Sequence, residues 1–171
     1  MLPGDILPHM DFEPIIGEYG VMDARIFSPN PMDLEAELLN LSLPERVTYD
    51  AERNILFLNF EGMYVRVAED VKAIWDICEQ RCRAAGKRVG VVINYDRFRI
   101  NQTMIDAYAE MDRYFLAHYF TKITRYATSA FMRSKLGEAF TQRNIAPHVF
   151  ERKEEAQAFL TAAGRGTGDD E

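Results

Sequence analysis

The sequence predicts an α/β domain in which a mixed sheet of four to five strands packs with four helices, preceded by a proline-rich extended arm. Three observations lead to this prediction. Residues 89–93 form an unbroken apolar run, relieved only by Gly90. Strand-like and helix-like patterns alternate along residues 44–163, which is typical of α/β folds. Six of the seven prolines lie at or before Pro44, so the first part of the chain is unsuited to long regular elements.

The apolar run at residues 89–93 is the predicted central strand of the sheet. A strand that is apolar on both faces is usually covered on both faces, as in the middle of a mostly parallel sheet. From Asn94 onward the sequence turns polar and aromatic. In open α/β sheets the carboxyl ends of strands face the ligand crevice, so we expect any site at this end of the strand.

The remaining elements follow from periodicity and turn signals. A β-hairpin is predicted over 46–60, with residues 60–63 extending its second strand. Short strands are predicted over 122–127 and 147–150. Helices are predicted over 68–85, 102–120, 130–143 and 153–163, with Gly86 ending the first and Asn101 capping the second. This order implies right-handed crossovers between parallel strands, with the hairpin adding an antiparallel edge.

The chain divides into three parts. Residues 1–43 are rich in proline and also carry apolar side chains such as Phe12 and Ile15, which predicts an extended arm or linker with a short helix over 33–41. We expect this arm to pack on the following domain, on a second copy of the chain or on a preceding domain. Residues 44–163 form the α/β domain. Residues 164–171 are glycine-rich and acidic, and are expected to be disordered.

Composition excludes several classes of function. The formal net charge of −7 argues against nucleic-acid binding, which needs a basic surface. The sequence contains no apolar run of the ~20 residues that a membrane span requires, and no secretory signal pattern. Cys78 and Cys82 are four residues apart in a helical pattern, which favours free thiols in a reducing compartment. We therefore expect a cytoplasmic protein with no metal and no cofactor.

The sequence shows no glycine-rich phosphate loop and no nucleophile elbow, so no catalytic residue is assigned. The candidates for ligand binding are positional, because parallel strands bring their carboxyl ends to one edge. They are Asn94, Tyr95, Asp96, Arg97, Arg125, Thr128 and Ser129.

For Asp96, Thr128, Ser129 and the nearby Glu61, a structural role is the alternative to a functional one. Three roles are open for Asp96, namely a general base, a helix cap and a turn residue. Thr128 and Ser129 bind an anion at a helix N-terminus or cap that helix. Glu61 either completes an acidic cluster with Asp96 or is a solvated side chain.

Two resemblances add to these patterns. The block from residue 55 to residue 160, which ends in His148-Val149-Phe150 and a helix with Glu155-Ala156, resembles the STAS or SpoIIAA-like fold. Anti-sigma-factor antagonists of that family carry an Asp-Ser-Ser-Gly phosphosite after the central strand. The matching place here, residues 99–104, lacks the serine, so the resemblance implies no phosphorylation switch.

A closer resemblance covers nearly the whole chain. The segments that carry it are Asp5–Phe12 with Pro14–Ile16, Met22–Phe27, Asn59–Gly62, Asn94–Asp96 and Arg125–Phe131. In this order they resemble the C-terminal extension of bacterial acyl-CoA:acetate/3-ketoacid (propionate) CoA-transferases and its junction with the preceding domain. The resemblance implies an accessory domain. The catalytic glutamate and the CoA-binding loop of that family lie in preceding domains and have no counterpart in this sequence.

Three functions are therefore considered. The first is a non-catalytic accessory or interaction domain whose partner is a CoA-transferase catalytic body or, through the arm, a second copy of the chain. The second is a stand-alone STAS-like module that binds a small acyl or anionic ligand. The third is an enzyme that uses Asp96 or Glu61 as base and Arg125 as anion holder.

Overall fold

A computed structural model describes residues 42–163, which form alternating strands and helices. A 3₁₀ turn at Leu43–Arg46 precedes the first strand, and a second at Gln102–Met104 precedes the second helix. In chain order the elements are β1 Val47–Asp50, β2 Ile55–Asn59, β3 Tyr64–Val65, α1 Ala68–Ala85, β4 Val89–Asn94, β5 Arg99–Ile100, α2 Ile105–His118, β6 Phe120–Tyr126, α3 Ala130–Thr141, β7 Val149–Phe150 and α4 Lys153–Ala163.

The main sheet has five strands in the order β1-β2-β4-β6-β7. Strand β1 is antiparallel to β2, and the other neighbours are parallel. The predicted α/β fold, with a mixed five-stranded sheet and four helices, is confirmed. A second small sheet, which pairs β3 with β5 in parallel, was not predicted from the sequence.

The helices are divided unequally between the two faces of the sheet. Three crossovers step in the same direction across the sheet, namely β2-α1-β4, β4-α2-β6 and β6-α3-β7. Because crossovers between parallel strands are right-handed, those that step in the same direction place their helices on the same face. Helices α1, α2 and α3 accordingly bury the larger core, whereas α4 covers the opposite face with a smaller one.

Strand β4 is buried along its whole length, as its apolar sequence predicts. Side chains alternate between the faces of a strand, so Val89, Val91 and Ile93 enter the larger core and Val92 enters the smaller one. Gly90 also points toward α4, where a Cβ atom would lie 3.3 Å from Cδ1 of Leu160. The glycine therefore allows the helix to approach the sheet closely.

Several boundaries differ from those predicted. Strand β2 ends at Asn59, because the chain turns at Glu61 and Gly62, where Gly62 has a φ of 69°. The predicted second helix begins as a 3₁₀ turn, and α2 ends at His118. Asn101 caps this region as predicted, because its side chain accepts a hydrogen bond from the Thr103 N–H at 3.1 Å.

The predicted arm before residue 42 and the predicted tail 164–171 lie outside the described residues. The expected helix over 33–41 does so as well. Among residues 42–163, no helix has the length and apolar character needed to cross a membrane.

Gly86 and Gly137 offer a matched test of how α1 ends. Gly86 ends α1 with a φ of 70°, whereas Gly137 lies inside α3, and a Cβ at either position would meet no atom within 4 Å. We expect Gly86→Ala to destabilise the domain by about 1 kcal/mol, because alanine disfavours the left-handed conformation. Gly137→Ala should stabilise it by about 0.5–1 kcal/mol. Urea unfolding measures both changes, and the same sign for the two would contradict this account.

Candidate functional site

The carboxyl ends of four neighbouring strands meet at one edge of the sheet. Asn59 lies in register with Asn94, Asn94 with Tyr126, and Tyr126 with Phe150. By strand alternation these four residues lie on the face that α4 covers. We call this row, together with the loops at 60–62, 95–98 and 127–129 that follow the strands, the carboxyl edge.

Asn94 organises the centre of the carboxyl edge. Its side chain is 9 % exposed, and its Nδ2 lies 3.3 Å from Oδ1 of Asn59 and 3.4 Å from Oε2 of Glu61. Its Oδ1 accepts a hydrogen bond from the Asp96 N–H at 2.9 Å. One amide therefore connects the ends of β2 and β4 with the loop that follows each strand.

The same two loops are joined by further contacts. Arg97 adopts a φ of 54°, and its Nη2 lies 3.0 Å from Oε1 of Glu61. The Gly62 N–H donates to the Asp96 carbonyl at 2.9 Å. Arg46, which is almost fully buried, donates to the carbonyls of Asn59 at 3.1 Å and Glu61 at 2.9 Å. The Glu61 carboxylate is thus paired with Arg97 rather than with Asp96.

Asp96 connects the loop after β4 to the loop after β6. Its Oδ1 accepts hydrogen bonds from the Thr128 N–H at 2.7 Å and from the Thr128 hydroxyl at 2.9 Å. Ser129 caps α3, because its hydroxyl accepts a hydrogen bond from the Met132 N–H at 3.3 Å. Both Thr128 donors therefore already have a partner within the chain, and the Ser129 hydroxyl oxygen acts as a helix cap.

Acidic side chains surround Tyr126 at the carboxyl edge. Burial raises the pKa of the Tyr126 hydroxyl to about 12, and the negative charges of Asp96, Glu61 and Glu154 contribute to the rise. This environment disfavours an anionic ligand beside Tyr126. Within residues 42–163, no group of three or more His, Cys, Asp or Glu side chains is arranged to hold a metal ion.

Arg125 lies in the core and not in the crevice where the sequence placed it. The residue has no exposed surface, and its Nη2 lies 2.7 Å from Oδ2 of Asp112 on α2. Its Nη1 donates to the carbonyls of Ala146 at 3.2 Å and Pro147 at 2.9 Å. Its guanidinium carbon is 3.8 Å from the ring centroid of Phe140. Arg125 therefore cannot contact a ligand at the carboxyl edge.

Tyr95 is a second correction to the predicted site. It is fully buried on the side of α2, where its hydroxyl lies 2.7 Å from the hydroxyl of Tyr108. Burial raises the pKa of both phenols, and the charge of Asp112 adds to the rise. Burial also raises the pKa of the Asp112 carboxyl, although the adjacent Arg125 opposes this effect. These groups form a buried polar cluster that orients α2 on the sheet.

The structure thus brings together part of the predicted set. Asn94, Asp96, Arg97 and Thr128 meet at the carboxyl edge, joined by Glu61. The predicted binding residues do not include Asn59, Tyr126 or Arg46, although Asn59 and Tyr126 lie in segments that the sequence singled out. Asn59 and Tyr126 lie close to the ends of predicted strands and end the observed ones, so matching the strand ends would have indicated them. Arg46 carries no such signal, because its role depends on the turn after β2.

Comparison of the chain with protein-family models, with curated proteins and with solved structures gives no match.

The buried pair of Arg125 and Asp112 can be tested by a double-mutant cycle. We expect Asp112→Leu alone to cost about 3–5 kcal/mol, because it leaves the Arg125 charge buried without its partner. The double variant Asp112→Leu/Arg125→Met should lose clearly less than the sum of the two single losses. Urea unfolding measures all three.

The exposed pair of Lys72 and Asp76 on α1, whose side chains are 72% and 59% exposed, is the control. Breaking it should cost no more than about 0.5 kcal/mol. Strict additivity of the losses at Arg125 and Asp112 would contradict the coupling inferred from the contacts.

His148 predicts a pH dependence of stability. Burial and the nearby charges of Lys122 and Arg125 lower the pKa of its imidazole. The unfolded chain, with a histidine pKa of about 6.5, then binds more protons than the folded chain as the pH falls below that value. Stability that is complete above about pH 6.5 is therefore lost as the pH falls through the folded pKa.

The variant His148→Asn removes this titration. Asparagine also tolerates the φ of 40° found at this position. Denaturant unfolding between about pH 5 and pH 7.5 should show a smaller loss of stability on acidification in the variant than in the wild type. Parallel pH profiles would contradict the assignment to His148.

Proposed function

We propose that this chain is a non-catalytic accessory or interaction domain, resembling the C-terminal part of bacterial acyl-CoA:acetate/3-ketoacid CoA-transferases, and that it acts in the cytoplasm. One observation carries the proposal. The polar side chains of the carboxyl edge bond to one another, so this edge is a preformed polar surface.

This arrangement gives little support to an enzyme at the carboxyl edge. A general base must reach the proton that it removes. Asp96 accepts two hydrogen bonds from Thr128, and Glu61 is paired with Arg97. The proposed anion holder, Arg125, is buried in the core. Within the described residues, the three groups considered for catalysis therefore each have a partner in the chain.

The same contacts support a protein-binding role. The hydrogen bonds between Asp96 and Thr128 restrain the two loops, and such a restraint reduces the entropy lost when a partner binds. Thr128 is exposed, and Glu61 and Arg97 are partly exposed, so the surface offers polar groups of both signs. A surface of this kind suits the polar rim of a protein interface. We propose the catalytic body of a CoA-transferase as the partner.

The alternative of a STAS-like module that binds a small acyl or anionic ligand has less support at this edge. The Asp96 carboxylate already takes the Thr128 donors, and the acidic residues around Tyr126 repel an anion.

The proposal is tested by mixing the full 171-residue chain with a CoA-transferase of the resembling family from which the equivalent C-terminal segment has been deleted. Sedimentation velocity should detect a complex with a Kd in the micromolar range or tighter. The variant Thr128→Glu, which adds a charge at the exposed carboxyl edge, should weaken the complex about tenfold or more. Gln80→Glu makes the same charge change on an exposed position of α1 and should leave the affinity unchanged.

Three outcomes would overturn the proposal. The first is no association at about 100 μM, a concentration that detects even weak interfaces. The second is equal weakening by Thr128→Glu and Gln80→Glu, which would remove the carboxyl edge from the interface. The third is CoA transfer by the isolated chain above the uncatalysed rate, with acetyl-CoA as donor and propionate as acceptor, which would show that the domain is catalytic.

A further inference from the structure

A groove of about 470 Å³ lies at the opposite end of the strands from the carboxyl edge, beneath the C-terminal part of α4. Its apolar lining consists of Ile55, Gly90 and Leu160. Its polar lining consists of Arg53, Asn54, Thr121, Lys122 and Thr161. The volume lies within the range of about 300–1,000 Å³ that is usual for small-molecule sites.

The apolar lining depends on the glycine in the central strand. Because Gly90 has no side chain, Leu160 of α4 packs directly over the strand, with its Cδ1 only 3.3 Å from the position that a Cβ would occupy. The Gly90 N–H donates to the Asn54 carbonyl at 3.1 Å, so its backbone is already satisfied. The groove therefore has an apolar surface, and the Gly90 N–H does not need a hydrogen bond from a ligand.

The charge of the groove is positive. Lys122 extends from β6 with its Nζ 4.5 Å from the ring centroid of Phe159, and no carboxylate of the described residues lies within ion-pair distance of it. The positive charge of Arg53 is balanced by Asp50, at 2.8 Å. Among residues 42–163, no Asp or Glu lines the groove. The Lys122 ammonium is thus the main charge presented to a molecule bound there.

We propose that this groove binds a small anionic amphiphile, namely a monocarboxylate with an aliphatic chain. The carboxylate pairs with the Lys122 ammonium and accepts a hydrogen bond from the Thr121 hydroxyl. The chain lies against the half-buried side chain of Leu160, which packs on Gly90 and belongs to the same apolar cluster as Ile55, and it loses contact with water there. This site is separate from the carboxyl edge and its partner, because the two occupy opposite ends of the same strands and differ in charge.

The test is a titration of the ¹⁵N-labelled full chain with octanoate, followed by amide NMR. Octylammonium and octanol have the same chain with a cationic or a neutral head group, and serve as comparisons. We expect octanoate to give saturable shifts at Ile55, Gly90 and Lys122, with a lower Kd than either comparison. Lys122→Glu should weaken octanoate binding about fivefold, as expected when one exposed attractive charge becomes repulsive. Lys72→Glu on α1 makes the same charge change and should have no effect.

A second variant tests the groove without changing its charge. Thr161→Trp, on the exposed side of the α4 end, fills the groove with an indole and should abolish the octanoate shifts. The proposal is overturned if octylammonium or octanol binds as tightly as octanoate, or if the shifts map to the carboxyl edge. It is also overturned if octanoate gives no saturable shift up to about 10 mM, where even a weak small ligand is bound.

Discussion

The arrangement of helices on this sheet depends on the buried ion pair between Arg125 and Asp112. Removing two charges from water costs several kcal/mol per ion, and only close, well-directed contacts recover that cost. Arg125 makes such contacts with a carboxylate on α2, with two carbonyls before β7 and with a ring on α3. A misplaced helix would leave one of these groups without a partner, so we expect the pair to disfavour alternative packings.

The carboxyl edge follows from this core. Arg125 and Tyr126 are consecutive in β6, so the strand sends one side chain into the buried pair and the next toward Asn94 and the acidic loops. Fixing β6 in register with β4 also places Thr128 where Asp96 can reach it. The surface for which we propose a partner is therefore positioned by contacts on the other face of the same strand.

Much of the fold could be predicted from the sequence, because hydrophobic periodicity and helix-ending glycines depend only on residues close together in the chain. The bounds of α1 and α4 and the burial of β4 follow from such patterns. The pairing of β3 with β5 could not be predicted, since strands of two residues show no alternation. The placement of the candidate residues was predicted in part, because parallel topology brings Asp96 and Thr128 to one edge. The hydrogen bonds there depend on loop conformations, such as the positive φ of Arg97, that no local pattern specifies.

Arg125 shows why the role of a charged residue in a strand, functional or structural, is difficult to predict from the sequence. It alternates with Ile123, which points into the larger core, and Asp112 lies between Tyr108 and Phe115 on the apolar side of α2. A charge at an inward position indicates either a functional group or half of a buried pair. The distinction requires the partner, which is 13 residues away in the sequence and 2.7 Å away in space. Two charges of opposite sign, each at an inward position of adjacent elements, are therefore better explained together as a structural pair than separately as a site.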